Sequence, residues 1–169
     1  MYDLFLSPLV MASALRLMTP VLFAAMGGSF GHKAKVLCLG LESFMAFAAF
    51  FAMYGSYTFE SAYAGLLFGV LSAMIASCIF AVFVLIFKST PVIVGIALNL
   101  AAWGGTTYLL SMIFKTRGVF IDPQIKSFGS IDIPLIKDIP YIGKFLSGQN
   151  ILVYLSLVFM IIAYIIMFK

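Results

Sequence analysis

Apolar residues fall in long runs along this chain, separated by short polar stretches. A hydrocarbon core about 30 Å thick is crossed by about 20 residues rising 1.5 Å each. Five runs meet that length: 9–29, 36–54, 61–87, 92–114 and 151–168. Backbone N–H and C=O groups in lipid have no water to bond, so each run is predicted to be a helix. The third is long enough to tilt or to project beyond the bilayer. The expected fold class is all-α: a polytopic transmembrane helix bundle of about five spans, one domain over 1–169, with a long loop at 115–150 before the last span.

Small and polar positions within the runs carry further information. Ser61, Gly65, Gly69, Ala73 and Ser77 recur every four residues. Helices in lipid associate by close approach of such residues, so this row reads as a helix-packing face. The fourth run sets Gly95, Asn99, Ala102 and Thr106 on one side, and the Gly104–Gly105 pair could loosen its helix. The first places Ser13, Arg16, Pro20, Ala24 and Gly27 together, with Pro20 removing a backbone donor and favouring a kink.

Composition excludes a soluble reading. Hydrophobic residues are 64% and charged residues 9% of the 169, against about 45–50% and 25% in soluble domains. Mean hydropathy is +1.17, more apolar surface than a globule of this size can hide. The net charge of +4 comes from singly scattered basic residues, which argues for a topological bias and against nucleic acid. Lys33 and Lys35 in the first loop, Lys88 in the third and Lys169 at the end mark the cytoplasmic side. The second loop, "GSYTFE", has no basic residue, and the N-terminus, with Asp3, is expected outside. The start, "MYDLFLSPLV", lacks the basic opening of a secretory signal. The 115–150 connection is then external. With Pro123, Pro134 and Pro140 among isoleucines, it reads as a packed cap with extended pieces or as an ordinary connecting loop.

Candidate chemistry reduces to a few polar groups in apolar surroundings. Counted inward at 1.5 Å per residue, Glu42 lies about 9 Å deep and Asn99 about 10 Å. From the other side Arg16 lies about 10 Å deep and Thr106 about 12 Å. Ionisable side chains at such depth face a bundle interior or a wet cavity and mark pathways. The candidate substrate path is therefore Glu42 and Asn99 in its inner half, Thr106 and Arg16 in its outer half. Against this, Glu42 could brace a helix near the interface and Arg16 could snorkel to the surface. His32 reads as a solvated loop residue, and Cys38 and Cys78 as buried free thiols. No metal, nucleotide or acid–base motif occurs, so no cofactor, metal site or enzymatic activity is expected.

Four collinear stretches resemble the membrane permease subunits of binding-protein-dependent ABC importers for simple sugars and nucleosides. They are "ALRLMTPVLFAAMGG" (14–28), "KAKVLCLGLESFM", "PVIVGIALNLAAWGGTTYLL" and "DIPYIGKFLSGQNILVYLSL". The second is similar to the family's ERAGVxNIGLEGMM: Gly40, Leu41 and Glu42 are kept, while His32, Lys33, Lys35, Cys38 and Ser43 depart from it. Losing the Asn-like position at Cys38 leaves the solute open. The resemblance covers what looks like the N-terminal half of a permease. It implies alternating access without covalent chemistry in this chain. The partners it implies are a second permease subunit, a cytoplasmic ATP-binding cassette ATPase and an external solute-binding protein, all at a bacterial cell membrane. A membrane scaffold or remnant using the Ser61–Ser77 face remains the alternative. A secondary transporter is disfavoured by the scarcity of intramembrane carboxylates.

Overall fold

A computed structural model of the chain describes residues 8–36, 38–116, 118, 120, 122–123, 125–126, 128–131 and 149–168. Five α-helices account for most of them: α1 (Pro8–Lys33), α2 (Leu41–Phe59), α3 (Ala62–Ala81), α4 (Pro91–Phe114) and α5 (Ile151–Phe168). The all-α class is thereby observed. Two two-residue strands, β1 (Ser130–Ile131) and β2 (Gln149–Asn150), pair antiparallel with Ser130 opposite Asn150. The rest of the expected external loop, 132–148 above all, lies outside the described residues.

Among the described residues, three segments are long and apolar enough to cross a membrane: Val10–Lys33, Ala62–Ile86 and Pro91–Phe114. A shorter apolar helix covers Ile151–Met167. α2 is absent from this set because Glu42 and Ser43 at its start and Tyr54 to Thr58 near its end dilute its hydropathy. Its surroundings explain the difference. α3 and α4 both pack on α2, which buries Ser43, Phe50, Gly55 and Ser56. A helix screened by its neighbours tolerates polar positions that a lipid-facing helix does not.

The chain divides into two compact units, residues 1–26 with 128–169 and residues 27–127. In the first unit the Arg16 Nε donates to the Gln149 Oε1 at 2.9 Å. Gln149 is 1% exposed and also donates from Nε2 to the Ala12 carbonyl at 3.5 Å. Phe23 meets Phe159 edge-on, with ring centroids 6.2 Å apart. α1 continues through Pro20 as one helix.

In the second unit the helix ends explain the boundaries. α1 stops in a Schellman motif: Lys35 N–H bonds the His32 carbonyl at 2.9 Å and Val36 N–H the Gly31 carbonyl at 3.0 Å. Lys35 takes the left-handed conformation, φ 58°, that glycine would ordinarily fill there. Val36 and residues 38–40 are non-helical, and α2 begins at Leu41, five residues later than the apolar run suggests. α3 runs on into a π-helical turn, Val82–Ile86, before Lys88 (φ 52°) reverses the chain. Pro91 then opens α4 at a position where its missing N–H costs nothing.

Packing within this unit follows small residues. A Cβ placed on Gly65 would lie 2.8 Å from the Ala52 carbonyl oxygen, and one on Gly69 would lie 3.1 Å from the Ala48 carbonyl oxygen. Rising numbers on α3 meet falling numbers on α2, so the two are antiparallel. α2 and α4 are parallel: Gly95 lies against Gly40 at one end, and Tyr57 meets Phe114 at 5.3 Å at the other. The row of small residues on α3 does not stay on one face. A step of four residues turns a helix by 400°, about 40° beyond a full circle. Gly65 and Gly69 are buried, Ser61 and Ala73 are half-buried, and Ser77 is exposed. The buried line leaves the row and continues through Ala76 and Phe80.

Candidate functional site

The start of α2 and the first half of α4 build the site. Gly95 makes their approach feasible. A Cβ there would stand 2.9 Å from the Gly40 nitrogen and 3.1 Å from Leu39, so any larger residue would push α4 away. One helical turn on, Asn99 reaches the same place. Its Oδ1 accepts from the Ser43 backbone N–H at 2.9 Å, and its Nδ2 donates to the Leu39 carbonyl at 3.2 Å. The Ser43 hydroxyl donates to the Gly40 carbonyl at 2.6 Å. These bonds fill polar groups in a spot where Ser43 is only 1% exposed.

Glu42 stands between the two anchored residues, on the second helical position of α2. A carboxylate in the first turn sits favourably against the positive end of the helix dipole. It is exposed, and among the described residues no hydrogen bond or ion pair engages it. With Ile96, Asn99, Leu100 and Trp103 it lines an open groove of about 270 Å³. The Trp103 indole is 69% exposed. A second open depression, about 480 Å³, continues along α4 past Trp103, Gly104, Thr107, Tyr108 and Ser111. Its threonine and serine hydroxyls are spent on their own helix: Thr107 donates to the Trp103 carbonyl at 2.8 Å and Ser111 to that of Tyr108 at 2.8 Å.

The four residues expected along a path thus separate. Glu42 and Asn99 come together, level with each other, although Glu42 heads its helix and is not a full turn inside it. Thr106 lies farther along α4 and donates to the Ala102 carbonyl at 2.6 Å. Arg16 belongs to the other unit, bonded to Gln149. Trp103 was not singled out from the sequence; a lone tryptophan four residues after the isolated Asn99 was the available signal. Among the described residues no three His, Cys, Asp or Glu side chains gather into a metal-binding set.

A family model described as a branched-chain amino acid transport system / permease component matches residues 10–169. The chain belongs to that permease family. The permease is 30% identical over 171 residues to the nucleoside ABC transporter permease protein NupC of Lactococcus lactis subsp. cremoris, an alignment covering 95% of this chain and 52% of the relative. It is 28% identical over 157 residues to the guanosine ABC transporter permease protein NupQ of Bacillus subtilis, covering 89% and 49% respectively. The chain spans about half the length of the curated relatives it matches. No solved structure matches it. Membership of a permease family and the apolar helices make the chain a multi-pass membrane protein and not an enzyme.

Proposed function

We propose that this permease forms part of the translocation path of an ABC importer for a nucleoside or simple sugar, with Glu42 as the acceptor that meets the solute in its inner half. The observation that carries this is an exposed carboxylate, without a partner among the described residues, beside an exposed indole in an open groove. An ionised acid left against lipid costs about 2.5–3.5 kcal/mol on insertion scales, so this one faces water, a solute or another protein surface. Sugar hydroxyls and base N–H groups are donors that suit a carboxylate, and the indole offers a flat apolar face for a base or a ring of C–H groups. The two relatives, a nucleoside and a guanosine permease, favour nucleosides. Thr106 and Arg16 are proposed for the outer half on their sequence placement.

By family, the partners are a second permease subunit, a cytoplasmic ATP-binding cassette ATPase and an external solute-binding protein, in a cell membrane. Lys33, Lys35 and Lys88 near the same end of residues 27–127 favour a cytoplasmic position for that end. Uptake of labelled nucleoside by cells carrying the complete transporter tests the site. Glu42→Gln removes a charge-assisted bond and is expected to cut uptake about tenfold or more with normal amounts in the membrane. Unchanged uptake in that variant removes Glu42 from the path.

A further inference from the structure

We propose that Asn99 is a helix cap supplied by a neighbouring helix, and so a positioning residue for Glu42 and not a solute ligand. The first turn of any helix leaves N–H groups without partners, and a Ser, Thr, Asp or Asn at the cap position usually fills one. Here the cap position is Gly40, which has no side chain and takes φ −80°, ψ 4°, away from the extended conformation in which a cap residue reaches back. The Ser43 hydroxyl is already committed to the Gly40 carbonyl. The third N–H of α2, that of Ser43, therefore takes its acceptor from α4, the Asn99 Oδ1 at 2.9 Å.

The other end of the same amide holds the Leu39 carbonyl at 3.2 Å. Leu39 and Ser43 bracket Glu42, so a single side chain clamps the backbone on both sides of the carboxylate. Gly95, one turn earlier, gives the clearance that lets Asn99 reach across. Asn99 lines the groove with Glu42, but its carbonyl and one of its N–H groups are already engaged by the backbone on either side of the carboxylate. Its contribution to transport then runs through the placement of Glu42. This inference rests on the path reading for its transport arm, and on the observed bonds alone for its labelling arm.

The transport arm uses nucleoside uptake in cells with the complete transporter. Asn99→Ala is expected to lower maximal uptake about fivefold in the parent, and to add less than about 1.5-fold once Glu42→Gln is present, because residues acting as one unit are not additive. Asn99→Asp, which keeps the acceptor for the Ser43 N–H but loses the donor to the Leu39 carbonyl, is expected to recover only part of the rate. Losses that multiply in the double variant, or a raised KM with an unchanged maximal rate, would mark Asn99 as a solute contact and overturn the proposal.

The labelling arm needs no transport. Glu42→Cys, in a chain with Cys38 and Cys78 replaced by Ser, is alkylated in membranes by a water-soluble maleimide. Asn99→Ala should change that rate about threefold or more by releasing the first turn of α2, and Asn99→Asp by less. Gly104→Ala, where an added Cβ meets nothing within 4 Å, should leave it unchanged. Equal rates with and without the Asn99 amide would sink the clamp. A parent transporter that takes up neither nucleoside nor simple sugar would defeat the proposed function while leaving this arm decisive.

Discussion

Single atoms decide where the second unit is tight. A methyl added at Gly65 would press on backbone, at 2.8 Å from the Ala52 carbonyl, and on the Ser56 Cβ at 2.9 Å. Neither can swing aside, so Gly65→Ala is expected to destabilise the detergent-solubilised protein by about 1–3 kcal/mol, read as a lower midpoint of thermal aggregation. Gly104→Ala and Gly105→Ala meet open space inside a continuous α4, and each should raise the same midpoint through about 1 kcal/mol of helix propensity. A rise at Gly65 would refute the packing described here. At this scale the sequence was informative in part. Glu42 and Asn99 stood out as isolated polar groups in apolar runs, and they do share one groove. That Asn99 is spent on backbone was hidden, because it depends on where α1 stops and on the clearance at Gly95, neither of which a hydropathy pattern encodes.

Among elements, the boundaries of α2 show what apolar patterning misses at each end. Its run begins at 36, yet the Schellman turn at Lys35 and the stretch to Gly40 delay the helix to Leu41. Its apolar run ends near Tyr54, yet the helix goes on to Phe59 because other parts of the chain cover it. Tyr57 packs edge-on against Phe114 at 5.3 Å and Phe120 at 5.7 Å. Ser56, 5% exposed, donates its hydroxyl to the Lys126 carbonyl at 2.9 Å and accepts from the Lys126 N–H at 3.1 Å. One hydroxyl thus closes both backbone groups of a residue beyond α4. Ser56→Ala should leave them unpaired at a cost of about 1–3 kcal/mol. Limited trypsin digestion in membranes is expected to cut after Lys126 several-fold faster in that variant. An unchanged cleavage rate would mean that the Ser56 bonds do not hold this segment. Nothing in the sequence spacing linked residues 70 apart.

For residues 27–127 as a body, the helix directions make a statement that does not depend on which side is which. α2 and α4 run parallel and α3 antiparallel, so the end of α1, the start of α2, the end of α3 and the start of α4 share one end. The ends of α2 and α4 share the other. With Cys38 and Cys78 replaced by Ser, Ala34→Cys and Thr90→Cys should therefore be labelled from one side of the membrane, and Glu60→Cys and Lys115→Cys from the other. All lysines near the first end are kept in Ala34→Cys and Thr90→Cys, so the charge bias that orients the chain is not itself altered there. If Lys33, Lys35 and Lys88 hold that end in the cytoplasm, the first pair reacts with an impermeant maleimide only after the cells are opened, and the second pair reacts in intact cells. Reversed sides would overturn the orientation alone and leave the bundle standing. Ala34→Cys and Thr90→Cys reacting from opposite sides would be incompatible with α2 and α4 lying parallel, and with it the bond from Asn99 to Ser43 could not form.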